Sequence, residues 1–283
     1  MLYSLKLSSA RSKEFITAYK GIVIYETIQV RFHESICFLQ IDRPDANNTI
    51  NDQLVAECNQ VLSACEESTT IVVLSGLPQV FCFGADFKAI AGTSRKGNEH
   101  NDGPGPMYDL WMRLATGPYV TISHVRGKAN AGGIGFVAAS DIVLAEESTQ
   151  FSLSELLFGL YPACVLPFLI RRLGFQKAHY LTLMTQPISA KQAWEWGLVD
   201  AFEPQSELLL RRHLQRLRRL SKTAIRRYKS YMSRISTPLQ DLKSLAVSAN
   251  QEMFSDPSNL QSITRYVEHG LFPWEKSLVA AAD

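Results

Sequence analysis

The chain has 283 residues, 46% hydrophobic and 20% charged, with a formal net charge of +2. This is ordinary globular composition with apolar residues enough for a sizeable core, and the near-neutral balance excludes a chain-wide basic field of the kind a dedicated nucleic-acid binder carries. No apolar run approaches the ~18 residues of a membrane span and no basic-then-apolar leader opens the chain, so the expectation is a cytoplasmic protein with neither membrane nor nucleic acid as partner.

Residues 1–21 are mixed in character and stand apart as an N-terminal extension. From Ile22 the pattern turns to period two. Ile28, Val30 and Phe32 alternate with Thr27, Gln29 and Arg31, and after a short turn at His33-Glu34 the run Ser35 to Ile41 completes a strand hairpin. Asn51 is placed to cap an amphipathic helix in which Leu54, Val55, Cys58, Val61, Leu62 and Cys65 recur at helical spacing. Thr70 to Ser75 reads as a short buried strand. The stretch from Gly92 to Pro106, GTSRKGNEHNDGPGP, is rich in Gly, Pro and charge and predicts a surface loop. PYVTISHVRG is then a strand, AGGIGFVAA a helix and DIVLAE another strand, an alternation that argues α/β architecture. This core extends to about residue 203, and after Asp200 the chain is expected to be helical to its end. There Leu210, Leu214 and Leu217 form an apolar stripe. Arg211, Arg212, Arg218, Arg219, Arg226 and Arg227 form either a solvated face or a docking face for an acidic partner. The five cysteines are odd in number and lack CxxC spacing. They read as small core residues in a reducing compartment, not as disulfides or zinc ligands.

Three segments carry the chemistry: GLPQVFCFGADFKAI (Gly76 to Ile90), RGKANAGGIGFVAASDI (Arg126 to Ile142) and FSLSELLFGLYP (Phe151 to Pro162). The first puts Gly84-Ala85 at a strand-to-helix turn, where the N–H groups that follow lack intrahelical partners, and the second does the same at Gly132-Gly133. Two such N–H groups can stabilise the negative charge that develops when a thioester carbonyl becomes an enolate. Glycines serving only close helix packing are the alternative for either segment taken alone. Neither run is a phosphate loop, since GxxxxGK[ST] and GxGxxG are both absent.

Through FCFGADF, the GG run followed by ASDIVLAEESTQFSLSE, the GLYP turn and TQPISAKQAWEWGLVD, the chain resembles the crotonase (enoyl-CoA hydratase/isomerase) superfamily over roughly Val23 to Phe202. The resemblance implies the crotonase fold, a spiral of ββα turns. It also implies a helical region at 204–283 that assembles a homotrimer or a dimer of trimers, and an oxyanion hole for acyl thioesters. Carried over, the oxyanion N–H groups fall on Ala85 and Gly132. Asp86, Phe87 and Lys88 become candidate contacts beside the pantetheine path, with a helix-start role the alternative for Asp86. Gly133, which permits the tight helix start, and Tyr161 are further candidate substrate contacts, Tyr161 for the acyl pocket with aromatic packing its alternative. Family hydratases use two glutamates. The first falls on Gly135 and is missing, whereas the second falls on Glu155, flanked by Leu153, Leu156, Leu157 and Phe158. Burial there would raise its pKa toward acid/base use.

A narrower resemblance, through ANNTIN, GLPQVFCFGADF, YDLWMRLATGPYVTISHVRGKANAGGIGF, FSLSELLFGLYPACVLPFLIRRLG, MFSDP and GLFPWE, is to the dehydratases of polyketide β-branching cassettes. It implies dehydration of a 3-hydroxy-3-methylglutaryl thioester, borne on an acyl carrier protein, to the 3-methylglutaconyl thioester. An HMG-synthase-like enzyme and a decarboxylase would be the functional partners. No metal and no intrinsic cofactor are implied, only the phosphopantetheine or CoA that carries the substrate. Other readings are a hydratase or isomerase acting on free CoA esters, the cassette's decarboxylase, and a non-catalytic scaffold of the same fold. With Gly135 in place of a glutamate, either Glu155 serves both proton steps or an unassigned partner exists. The substrate's distal carboxylate asks for a cation, for which Lys88, Arg95 and Lys96 are candidates. His124 reads as a satisfied structural histidine and Asn48 as turn chemistry.

Overall fold

The computed structural model describes residues 24–96, 103–235 and 239–275, so the expected N-terminal extension lies outside the described residues. The strands are β1 (Ile28–His33), β2 (Ile36–Ile41), β3 (Ile71–Ser75), β4 (Val80–Cys82), β5 (Val120–Val125), β6 (Lys128–Asn130), β7 (Ile142–Glu146), β8 (Gln150–Ser152), β9 (Ile188–Ser189) and β10 (Ala201–Glu203). They form two sheets, ordered β1-β2-β3-β5-β7-β10 and β4-β6-β8-β9. The successive pairs β3/β4, β5/β6 and β7/β8 therefore step along both sheets together, which is a spiral. Pairing is parallel except between β1 and β2 and between β8 and β9.

Parallel strands covered on both faces read as continuous apolar runs, and β3 shows why. Val72 and Leu74 point into the main core, while Ile71 and Val73 join Ile36, Ile122 and Leu144 on the opposite face. Helix α1 (Asp52–Cys65) starts where expected: the Asn51 side chain accepts from the Leu54 N–H at 2.9 Å, and all six residues of the apolar stripe are buried. The hairpin is also as expected, with its turn one residue later, at Glu34-Ser35, where Glu34 takes φ +53°.

Two expectations need correction. Residues 92–96 are not loop: helix α2 (Phe87–Lys96) runs through them, and α3 (Gly105–Thr116) begins inside the same composition-biased stretch. Local composition gave way to helix packing, and what remains between, 97–102, lies outside the described residues. Nor is the chain purely helical after Asp200. Strand β10 follows, parallel to β7, and it is set by the Asp200 side chain accepting from the Val143 N–H at 2.7 Å.

Helix α4 (Gly132–Ala139) follows β6, and α5 (Leu166–Leu173), α6 (Phe175–Met184) and α7 (Ala190–Glu195) lie between β8 and β10. The C-terminal region comprises α8 (Ser206–Leu217), α9 (Lys222–Ile235), α10 (Leu239–Ser255) and α11 (Pro257–His269). Leu209, Leu210 and Leu214 of α8 cover the second face of the larger sheet, with Leu217 partly buried beside them. Several arginines outside that stripe pair with the chain's own acids, Arg212 with Glu203, Arg218 with Glu34 and Arg226 with Glu67. His124 is buried on β5 with its Nε2 2.9 Å from Ser206 Oγ, and burial lowers its pKa, so the structural reading holds. Lys229 of α9 is buried in an ion pair with Asp141, which also accepts from Thr121 N and Oγ1. All five cysteines are buried and unpaired, and burial pushes Cys82 and Cys164 up to about 12. Among the described residues no helix is long and apolar enough to cross a membrane.

Candidate active site

The site forms where three neighbouring strands of the smaller sheet end. In the ladder, Cys82 of β4 pairs with Ala129 of β6, and Ala129 pairs with Phe151 of β8. Ala85 and Gly132 each lie three residues beyond their paired strand residue, and Glu155 lies four beyond Phe151. This is the carboxyl-end crevice in which parallel sheets present their ligand-binding groups.

At the end of β4, Ile50 N donates to Gly84 O at 2.7 Å and Asp86 N donates to Ile50 O at 3.1 Å. That bridge leaves the Ala85 N–H between them without a partner among the described residues. Gly84 holds φ +89°, and a Cβ there would lie 2.6 Å from Ala131 Cβ and 3.2 Å from Gly132 N. Only glycine lets the two turns approach so closely. Ala131 itself takes φ +50°, strained for alanine, and is held by its N–H donating to Ser152 O at 3.0 Å. Gly132 opens α4, so its N–H has no intrahelical acceptor, and none is found elsewhere among the described residues. Gly133 lies behind this turn, where a Cβ would collide with the Cys82 carbonyl. It shapes the helix start and does not line the cavity.

Ala85, Gly132 and Glu155 line one cavity of ≈1640 Å³. Glu155 begins a 3-10 turn, Glu155–Phe158, closed by Gly159 at φ +78°. Its Oε2 is buried without a hydrogen-bond partner. Burial pushes its pKa up to about 7, opposed in part by the N–H groups of Glu155 and Ser154. A carboxyl poised there can exist in either protonation state near neutrality, as a general acid/base requires.

Asp86, Phe87, Lys88 and Tyr161 also line the cavity. Both Asp86 oxygens are already engaged: Oδ2 accepts from Arg43 Nη2 at 3.0 Å, and Oδ1 accepts from Ala89 N at 3.1 Å and so caps α2. Phe87 stacks edge-on against Phe158 at 5.2 Å. Lys88 is a cation on the wall, whereas the side chains of Arg95 and Lys96 lie outside the described residues. Tyr161 is 40% exposed, and its N–H donates to the Met253 sulfur.

Asn130, a polar candidate that flanks the GG segment, is joined in the structure by two residues that the sequence did not mark, Ser152 and Ser154. Asn130, Ser152 and Ser154 form a polar shelf on the cavity wall: Ser152 Oγ donates to Asn130 Oδ1 at 2.7 Å, and Asn130 Nδ2 donates to Ser154 Oγ at 3.0 Å. Asn48 does more than turn the chain, since its buried amide donates to the Ile41, Val80 and Phe81 carbonyls and so ties β2 to β4. Position 135 proves to be filled. A Cβ on Gly135 would come within 2.5 Å of Trp111 Cε2, because the indole of Trp111 occupies that space. Among the described residues no group of three His, Cys, Asp or Glu side chains is disposed to hold a metal ion.

Residues 31–277 match the family model described as enoyl-CoA hydratase/isomerase. The chain is 62% identical over 255 residues, covering 90% of it and 98% of the relative, to the bacillaene synthase dehydratase PksH of Bacillus subtilis. It is 31% identical over 189 residues, covering 62% of it and 68% of the relative, to 1,2-epoxyphenylacetyl-CoA isomerase of Escherichia coli. Among solved structures, pksH from Bacillus subtilis superposes with a TM-score of 0.86 at 61% identity, covering 88% of this chain and 100% of that one. AtuE from Pseudomonas aeruginosa gives a TM-score of 0.71 at 27% identity, with coverages of 86% and 97%.

Proposed function

This chain belongs to the enoyl-CoA hydratase/isomerase family, and from that premise we propose that it is a hydro-lyase of polyketide biosynthesis that converts a 3-hydroxy-3-methylglutaryl thioester to the 3-methylglutaconyl thioester. The match to the bacillaene synthase dehydratase over nearly the whole of both chains supports the dehydratase class and the polyketide setting. The substrate is borne on the phosphopantetheine of an acyl carrier protein, supplied by an HMG-synthase-like enzyme and consumed by a decarboxylase.

The thioester oxygen sits between the N–H groups of Ala85 and Gly132. Glu155, ionised, takes the C2 proton, and the electron pair of that bond moves into the thioester as an enolate, whose charge the two N–H groups stabilise. The pair then returns to form the C2–C3 double bond as the C3–O bond breaks. Glu155 gives its proton to the departing hydroxyl, which leaves as water. Atoms and charge balance, and the carboxylate is regenerated.

The observation that carries this reading is the carboxyl of Glu155, raised to about 7 in the cavity that the two unpartnered N–H groups also line. The direct test is incubation with the 3-hydroxy-3-methylglutaryl carrier protein, read by mass spectrometry. Loss of one water by the native protein and its absence with Glu155→Gln are expected. No dehydration by the native protein, or full rate in the variant, overturns the proposal.

A further inference from the structure

Three buried side-chain polar atoms among the described residues have no hydrogen-bond partner: Trp111 Nε1, Glu155 Oε2 and Tyr119 OH. Two of them belong to residues that line the cavity with Ala85 and Gly132, namely Trp111 and Glu155. An unpaired buried polar atom costs free energy, so each asks what it awaits. One is a donor only and the other, as a carboxylate oxygen, an acceptor only. A hydroxyl group is the complement of such a pair, because it accepts through its oxygen and donates through its proton.

The indole is held firmly for such a task. Helix α3 brings Trp111 against α4 at Gly135, where the absence of a side chain admits the ring. The ring atoms nearest that glycine's missing Cβ are Cζ2 and, next, Cε2, the carbon bonded to Nε1. Phe136 and Phe168 meet the ring edge-on at 5.9 Å and 6.0 Å, and Trp111 is fully buried. Gly135 and Trp111 thus form a matched pair, in which the space of a side chain at 135 is given to an aromatic with a single N–H.

Resting on the dehydratase reading above, we infer that Trp111 holds the departing 3-hydroxyl of the substrate, its Nε1–H donating to that oxygen while the hydroxyl donates to Glu155 Oε2. As the C3–O bond breaks, the oxygen gains negative charge and the indole N–H stabilises it, as oxyanion donors stabilise charge elsewhere. The indole gives up no proton. The C2 proton taken by Glu155 is the one that completes the leaving water, and Trp111 ends the cycle unchanged.

The test separates the two bond-breaking steps. Trp111→Phe keeps the ring and removes the N–H. Dehydration is expected to fall about tenfold to a hundredfold, while exchange of the C2 hydrogen with solvent deuterium, which needs only Glu155 and the oxyanion hole, stays within about twofold. Equal loss of both, or loss of neither, overturns the assignment. A second measurement uses the native protein, whose four tryptophans give a simple indole N–H spectrum. A thioether analogue of the substrate, which cannot be enolised, is expected to shift the Trp111 resonance downfield, and its counterpart lacking the 3-hydroxyl to leave that resonance in place. A native protein that dehydrates the substrate while this resonance ignores the hydroxyl refutes the role of Trp111 alone. A native protein that neither binds nor dehydrates it refutes the dehydratase reading and this role together.

Discussion

Gly84 lies so close to Gly132 that a Cβ added to it would come within 3.2 Å of the Gly132 amide nitrogen. Gly84→Ala therefore pushes apart the turns that carry the two oxyanion donors, and does so at φ +89°, where alanine is strained by about 1–2 kcal/mol. Dehydration by this variant is expected to fall about a hundredfold in protein that still folds, as steady-state rates beside a thermal melt will show. Unchanged kinetics would place the oxyanion hole elsewhere.

Glu155 links activity and stability to pH in opposite senses. Its carboxyl titrates near the ordinary 4.5 when unfolded and near 7 when folded, so the folded state binds the proton more tightly. The associated stability is fully present below the unfolded value and is lost as pH rises through the folded one, by about 3 kcal/mol. Glu155→Gln, which cannot ionise, is expected to melt above the native protein at about pH 8 and to converge with it below about pH 5. The native rate is expected to climb with pH through about 7, because the base form is the ionised one. The variant lacks that limb and loses about a hundredfold to ten-thousandfold in kcat.

Delivery by a carrier protein has a kinetic signature. With the same acyl group on carrier protein and on free CoA, kcat/KM is expected to favour the carrier by about tenfold or more. Equal efficiency would point to an enzyme of free CoA esters.

The buried Lys229–Asp141 ion pair anchors α9 to the start of β7. Lys229→Ala removes a cation from a carboxylate that stays partly buried, and a loss of about 3 kcal/mol in denaturant unfolding is expected. Lys229 lines no part of the cavity, so the rate at low temperature is expected to be unchanged. Asp141→Asn in the same chain should restore part of the loss, because it removes a carboxylate charge left with only Arg171 as a neighbouring cation.

What could be read from the sequence was whatever a short window contains. The Asn51 cap and the Leu54-to-Cys65 stripe show themselves within one helix, and the Gly84-Ala85 and Gly132-Gly133 turns within a few residues each. Glu155 stood out through the family resemblance, because its apolar neighbours Leu153, Leu156, Leu157 and Phe158 taken alone also suit a glutamate on a solvated helix face. Strand β10 was missed because its three residues take their register from β7 and Asp200, not from any period of their own. The helical path through residues 92–96 was hidden by composition, and the ion pair of Asp86 with Arg43 joins residues distant in the chain, whereas its cap on the Ala89 N–H is the local helix-start role expected of it. Most of all, the vacancy at Gly135 was legible while its occupant was not, since Trp111 meets it only when α3 and α4 pack.

The shared ladder of β4, β6 and β8 has a consequence for how such a chain can vary. Because Ala85 and Gly132 stand at equal distances past the paired residues Cys82 and Ala129, the spacing of the donors is counted in residues from the ladder. Insertions into the connections that leave the site, such as the stretch between α2 and α3, lengthen the chain without touching that count. A single residue added between Cys82 and Ala85, or between Ala129 and Gly132, would throw one donor out of step with the other. Tolerance to insertion along this chain should therefore collapse at those two three-residue intervals, where the fold works as a ruler for the chemistry.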